Sequence, residues 1–275
     1  MLPIVEITQE NPYVKTFWFD FSLQSKPGQF VMLWVPGVDQ KPFSIAYDTG
    51  DRFGVSVFAV GTLSKALYEL TTKDKVGITG PYGNPFTVKP NTRYITVAGG
   101  YGAGPLAFLA EQASAIGSRV DFCIGARNAD LLLFEQRVAN LPHVTTHTAT
   151  NDGSKGHTGY VTDIVIQLLK QHQSQIENPQ SSVSINKLPI LATCGPELME
   201  KAVLDLCNTY DVDCEISIER YMKCGFTICG QCCMDPLGIP MCSIGPVVNR
   251  ETANKLTEFG MYHRDKSGIS HPFSL

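Results

Sequence analysis

Arg93-Tyr94-Ile95-Thr96-Val97-Ala98-Gly99-Gly100-Tyr101-Gly102-Ala103-Gly104-Pro105 joins a short apolar run to a cluster of glycines, and a helical pattern follows from Leu106 to about Ile116. The run reads as a buried strand, and strand, glycine turn and helix in this order form the geometry of a dinucleotide site. The glycines are not in G-x-G-x-x-G register, and such turns also join strands to helices where no ligand binds. The stretch therefore decides the fold before it decides a function. Downstream the alternation repeats. A strand at Arg119 to Arg127 is followed by a helix near Leu131 to Arg137, a strand around His143 to Thr150, a helix near Val161 to Gln171 and a strand at Leu188 to Cys194. Alternating strands and helices predict a doubly wound parallel α/β sheet, placed at residues 91–212. Between the last helix and strand, His172 to Asn186 is polar and aperiodic and reads as a surface loop.

Toward the N-terminus the period changes. Gly28 to Val35, Phe43 to Tyr47, Phe53 to Val60 and Lys75 to Ile78 are short apolar runs separated by turn residues, which predicts a small antiparallel β-barrel over residues 1–90. One helix interrupts it at Gly61-Thr62-Leu63-Ser64. Free backbone N–H groups beside a hydroxyl there make a seat for a diphosphate, and equally an ordinary helix cap.

Beyond residue 212 the cysteines dominate. Cys224, Cys229, Cys232 and Cys242 read C-x4-C-x2-C-x9-C, and the first three have the spacing of a plant-type ferredoxin loop. Three thiolates on one short loop require a backbone that wraps around an inorganic core, and Gly225 and Gly230 supply the positive φ for it. Cys229 and Cys232 also form a C-x2-C pair, so a structural zinc is the alternative. Cys233 competes with its neighbour, and the x2 spacing favours Cys232. Cys123, Cys207 and Cys214 sit in apolar settings and read as buried hydrophobes. Residues 213–275 are expected to form a small cluster domain with a tail. Thr252 to Phe259 of that tail is helix-like and could pack on a partner or on the chain itself.

The chain has 275 residues, 43% of them hydrophobic, and a formal net charge of −4. That suits two or three packed domains and gives no basic footprint for nucleic acid. No apolar run approaches the roughly 20 residues of a membrane span. Nine cysteines are too sparse for a stapled secreted scaffold, and Met1 to Glu6 lacks a signal region. A cytoplasmic protein is expected.

In order and spacing, Lys41-Pro42-Phe43-Ser44-Ile45, Gly80-Pro81-Tyr82-Gly83-Asn84, the glycine turn, Asp152-Gly153-Ser154 with Gly159 to Asp163, Cys194-Gly195-Pro196 and Ser217 to Lys223 resemble one family. It is the ferredoxin-reductase-like electron-transfer flavoproteins, and within them the electron-transfer subunits of the NAD-linked dihydroorotate dehydrogenases of pyrimidine biosynthesis. The resemblance covers about Gly28 to Val248. It implies FAD in the barrel, beside Lys41, Pro42, Phe43 and Ser44, with its diphosphate at Gly61, Thr62 and Ser64. It also implies NAD(H) at Gly99, Gly100 and Gly102, with nicotinamide meeting the flavin near Cys194 and Gly195. The four cysteines would hold a [2Fe-2S] cluster.

Many relatives carry Arg-x-Tyr-Ser where this chain has Lys41 to Ser44. A lysine lacks the bidentate fork of arginine, and Phe43 can stack but cannot hydrogen-bond. Phe43 also suits a barrel core. Arg127 reads as a solvated loop residue or as a partner for a ribose phosphate. The implied activity is that of an oxidoreductase subunit, taking electrons from an FMN-containing dihydroorotate dehydrogenase subunit in a heterotetramer. The alternatives are a hydrogenase or sulfur-reductase subunit, and a zinc-bearing binding module.

Overall fold

The structure is a computed structural model that describes residues 1–177 and 188–273. Its first lobe contains β1 (Leu2–Pro3), β2 (Glu6–Asn11), β3 (Val14–Phe19), β4 (Phe30–Val35), β5 (Asp39–Asp48), β6 (Phe53–Phe58), α1 (Thr62–Tyr68) and β7 (Lys75–Tyr82). Its strands form one antiparallel sheet in the order β1-β7-β4-β5-β6-β3-β2. The two edge strands are adjacent in the chain, so the sheet curls back on itself as an open barrel around Phe17, Phe19, Val31, Leu33, Phe53 and Val55. The hairpin of β2 and β3 lies upstream of the runs picked out by pattern. Its first strand, Glu6-Ile7-Thr8-Gln9-Glu10-Asn11, is too polar to stand out, because no residue of it is fully buried.

The second lobe begins with β8 (Arg93–Gly99), a single 3-10 turn at Gly100–Gly102 and α2 (Ala103–Ala115). Then come β9 (Arg119–Ala126), α3 (Glu135–Ala139), β10 (Val144–Thr150), β11 (His157–Thr158), α4 (Val161–Glu177), β12 (Ile190–Cys194), α5 (Glu197–Tyr210) and β13 (Cys214–Ser217). After the cysteine-rich segment, with β14 (Cys233–Met234) and β15 (Ile239–Pro240), the chain returns in β16 (Val247–Asn249), α6 (Arg250–Lys255) and the hairpin of β17 (Tyr262–Arg264) and β18 (Ser270–Pro272). The sheet order is β11-β10-β9-β8-β12-β13-β16, parallel except where β16 runs against β13. The chain reverses direction across the sheet between β8 and β12, and ligands of such sheets sit outside the carboxyl ends of the strands at that switch point.

Ten of the thirteen residues of α2 are buried. It is apolar all round because it is wedged between the sheet and the barrel, where Gly104 approaches Ala46. In contrast, α4 presents one stripe, Val161, Ile164, Val165, Leu168 and Leu169, to the core. His172, 1% exposed, continues that stripe, so the helix runs to Glu177 through residues expected to be loop. The remainder of that expected loop, 178–186, lies outside the described residues. The expected helix near 131–137 is split into a 3-10 turn at Ala129–Leu131 and α3, with Phe134 at φ +63 between them. In the tail, Asn249 caps α6 by accepting from Thr252 N–H at 2.9 Å. Ala253, Leu256 and Phe259 bury themselves in the core shared with α5, so this tail packs on the chain itself.

Candidate functional site

Two clefts meet at the switch point. The first, about 480 Å³, lies between the barrel and the carboxyl ends of β8 and β12. Lys41, Pro42, Phe43 and Ser44 of β5 form one wall, Gly61, Thr62 and Ser64 at the start of α1 form another, and Gly102 and Cys194 close it. The seven residues expected around a flavin are thus brought together, and Gly102 and Cys194, expected at the nucleotide and at its meeting with the flavin, join them from up to about 150 positions away. Phe43 both lines the cleft and packs on the barrel core. Lys41 donates to Tyr221 Oη at 2.9 Å and pairs with Asp39 at 2.7 Å. Burial would lower its pKa, but these two partners outweigh it and hold the ammonium charged. The Ser64 hydroxyl is occupied by its own turn, accepting from Val60 N–H at 3.0 Å and Gly61 N–H at 2.9 Å.

The second cleft, about 650 Å³, opens over the carboxyl ends of β8 and β9. Gly99, Gly100 and Arg127 line it, with Pro196 and Met199 of the β12–α5 junction and, across from them, Tyr13 of the barrel hairpin. Gly100, at φ +54, has open space where a Cβ would point. Gly102 is placed differently. It faces the first cleft, and a Cβ on it would stand 2.2 Å from the Cys194 carbonyl oxygen. Its bareness serves the contact between two strand ends rather than an approaching nucleotide. Gly195 lines neither cleft, and its N–H donates to Glu200 Oε1 at 3.0 Å.

Tyr101 and Phe58 line both clefts and form the partition between them. The Tyr101 hydroxyl donates to Glu219 Oε2 at 3.2 Å. Both residues lie in stretches singled out in the sequence, but nothing there links them, since they are 118 positions apart. Next to Glu219, the Arg220 side chain is almost fully buried. It donates to Glu258 Oε1 at 2.8 Å and to Glu197 Oε1 at 3.0 Å.

The cysteine loop folds against the barrel. At Gly225, φ +84, a Cβ would come within 2.7 Å of Met32 Cγ and 3.1 Å of the Tyr82 ring, so the loop backbone lies directly on β4 and β7. Phe30, which lines the first cleft, packs on Tyr82 (5.9 Å between centroids), and Tyr82 packs on Phe226 of the loop (6.2 Å). Backbone N–H groups turn toward sulfur: Thr227 to Cys242 Sγ at 3.2 Å, Ile228 to Cys224 Sγ at 3.4 Å, and Cys242 to Cys232 Sγ at 3.4 Å. Burial pushes the Cys224 thiol up, but the N–H groups of Cys229, Phe226 and Ile228 outweigh it and bring its pKa to about 6.

Cys224 neighbours Cys229, Cys232 neighbours Cys242, and Cys233 stands near both Cys229 and Cys242. Among the described residues no three His, Cys, Asp or Glu side chains surround a single point as one ion requires. Cys232 is buried, whereas Cys233, the next residue, enters β14 opposite Pro240 and is only half-buried. Successive side chains of a strand point to opposite faces, which separates the two cysteines.

A curled antiparallel barrel, a switched parallel sheet and two clefts at their junction define the ferredoxin-reductase-like fold class. The structure of the NADH-dependent reduced ferredoxin-NADP oxidoreductase matches with a TM-score of 0.75 at 24% identity, covering 91% of this chain and 88% of that one. The H286L mutant of ferredoxin-NADP+ reductase from Plasmodium falciparum matches at 0.60 and 17%, covering 75% and 89%. No protein-family model matches. The chain belongs to the electron transfer subunits of dihydroorotate dehydrogenase B (NAD(+)). It is 40% identical over 266 residues to the protein of Methanocaldococcus jannaschii named "Probable dihydroorotate dehydrogenase B (NAD(+)), electron transfer subunit", covering 96% of this chain and 95% of that one. The protein of the same name from Methanothermobacter thermautotrophicus is 38% identical over 277 residues, covering 99% and 97%. Among the described residues no helix is long and apolar enough to cross a membrane.

Proposed function

We propose that this chain carries electrons singly from a partner subunit into its first cleft and passes them as a hydride to NAD+ in the second. The observation that carries the reading is the contiguity of three sites: a loop with its N–H groups turned toward cysteine sulfurs, a cleft behind it reached through Phe226, Tyr82 and Phe30, and a second cleft separated from the first by Tyr101 and Phe58. FAD exchanges electrons in pairs or one at a time, a [2Fe-2S] cluster carries one, and a nicotinamide nucleotide takes a hydride.

The donor sets suit these groups. N–H groups aimed at sulfur favour thiolates and tune a cluster's potential. Cys224, Cys229, Cys232 and Cys242 are the proposed ligands. In the first cleft, Pro42 and Phe43 offer an apolar wall to a flavin ring, Ser44 a hydrogen bond, and Lys41 a charge for a diphosphate near Gly61, Thr62 and Ser64. Gly99 and Gly100 let a nucleotide diphosphate lie on the backbone of the second cleft, with Cys194 and Gly195 at the junction. The three segments 1–90, 91–212 and 213–275 then divide flavin, nucleotide and cluster among them.

The loop exposes 52% of Phe226 and 77% of Ile228, and exposed apolar side chains beside an electron port suit a protein partner. The partner proposed is an FMN-containing dihydroorotate dehydrogenase subunit, in a heterotetramer in the cytoplasm. Cofactor content tests the reading. The anaerobically purified chain should contain one FAD, with about two irons and two acid-labile sulfides. Replacing any of the four proposed ligands by serine should abolish the cluster, and Cys233→Ser should spare it. Stoichiometric zinc, or cluster loss in Cys233→Ser alone, would contradict the ligand assignment.

A further inference from the structure

The diphosphate of FAD is anionic, and a cleft that takes it out of water must offset its charge. Five charged side chains line the first cleft, the acids Asp39 and Glu219 and the bases Lys41, Arg220 and Lys266. Two of the bases are already engaged. Lys41 pairs with Asp39 at 2.7 Å and donates to Tyr221 Oη at 2.9 Å. Arg220 is divided between Glu197 and Glu258. Among the described residues, Lys266 alone of the three makes no ion pair. It lies beyond the stretch from Gly28 to Val248 that carries the family resemblance, so no motif of that resemblance points to it.

We propose that Lys266 is a flavin-binding residue, supplying from the tail hairpin the positive charge that retains the FAD diphosphate in the first cleft. The inference rests on the reading that this cleft takes FAD. Lys41 shares its charge with Asp39 and lacks the fork of an arginine, so a second cation is needed where Lys41 stands. Lys266 is exposed and lines the cleft, which places it at the mouth, where a long ammonium side chain can turn inward. The Asp39 carboxyl is held below the usual range first by its hydrogen bond from Lys41, and more weakly by the charge of Lys266, which brings the hairpin within electrostatic reach of β5.

The backbone that presents Lys266 is built. It sits in the turn between β17 and β18, where Asp265 Oδ1 accepts from the N–H groups of Ser267 at 2.8 Å and Ile269 at 3.1 Å. Asp265 Oδ2 lies 3.0 Å from His271 Nε2 on the returning strand. The hairpin in turn is fastened to the cysteine segment. Tyr262 Oη donates to Asp235 Oδ2 at 3.0 Å, Arg264 pairs with the same carboxylate, and Gln231 Nε2 donates to the Asp265 carbonyl at 3.4 Å. The segment with the proposed cluster ligands therefore also holds in place the turn that closes on the flavin.

FAD release from the purified holoprotein tests the proposal without turnover. Dilution into a series of buffers between about 0.05 and 0.5 M KCl, followed by the rise of flavin fluorescence, gives a dissociation constant at each salt concentration. Lys266→Gln should weaken FAD about tenfold at the lowest salt, with a flatter salt dependence, while its iron content and far-UV circular dichroism match those of the unsubstituted chain. Lys266→Arg should restore both the affinity and the salt dependence, and Lys266→Glu should weaken FAD further than Lys266→Gln. An unchanged affinity in Lys266→Gln would overturn the proposal. So would a loss that Lys266→Arg fails to restore or that is equal at every salt concentration, since either is a defect of folding rather than of charge. Absence of FAD from the unsubstituted chain would instead overturn the reading of the cleft, and the role of Lys266 with it.

Discussion

Glu200 is 1% exposed and accepts a hydrogen bond from Gly195 N–H without a cation dedicated to it. Burial, and then repulsion from Glu219, raises its pKa well above the ordinary value, against the Gly195 hydrogen bond and Arg220. The sign follows from linkage. A carboxyl with a raised folded-state pKa contributes its stability below the unfolded value of about 4.3 and loses it as pH rises toward the folded value. Glu200→Gln keeps the acceptor and removes the titration. Urea denaturation between pH 5 and 7 should show the unsubstituted chain losing up to ~1.4 kcal/mol per pH unit relative to the variant. Parallel curves would place the carboxylate in a charged, compensated state. At this scale the sequence is uneven as a guide. Cysteine ligation demands short fixed spacings, so Cys224, Cys229 and Cys232 can be proposed as ligands from the sequence alone. Tyr101 and Glu219 meet only through the fold, from opposite ends of the second lobe.

Elements were legible where one face decides them. The alternation of strand and helix from Arg93 to Cys194 follows from burial on both faces of a parallel sheet, and it predicts the switch point where both clefts lie. The polar start of the β2–β3 hairpin carries too little apolar alternation to be seen, and the end of α4 was hidden because the residue continuing its buried stripe is a histidine. The glycine turn was legible as a turn, though not for which contact each glycine serves. Gly100→Ala adds a methyl into open space at a positive φ, so it should cost ~1 kcal/mol of stability and weaken NADH binding. Gly102→Ala drives a methyl into the Cys194 backbone and should cost at least the upper end of the ~1–3 kcal/mol typical of overpacking, with or without nucleotide. Denaturation midpoints and NADH titrations of the two variants separate these outcomes. Equal stability losses would show that both glycines serve the same backbone contact.

At the scale of the whole molecule, the cysteine segment is not an appendage. Strand β13 joins the parallel sheet, β16 pairs with it, and Met222, Met234 and Met241 share a core with α4 and α5. Arg220 fastens this arrangement, joining Glu197 of α5 to Glu258 of the tail in a buried node. Arg220→Met leaves two carboxylates without that cation and should cost ~3–5 kcal/mol in urea denaturation, while a loss below ~1 kcal/mol would mean that the node relaxes freely. The same integration places the cluster loop between the barrel and solvent, with Phe226 and Ile228 outward. The central claim is that electrons enter there from another protein and leave on NAD+. Its most direct test is NADH formation from dihydroorotate and NAD+, measured for this chain alone, for the FMN-containing dihydroorotate dehydrogenase subunit alone, and for the two mixed. The account predicts NADH only in the mixture, with the rate cut at least about tenfold by Ile228→Asp, which would bury an unpaired charge. Activity in this chain alone, or none in the mixture, would contradict it.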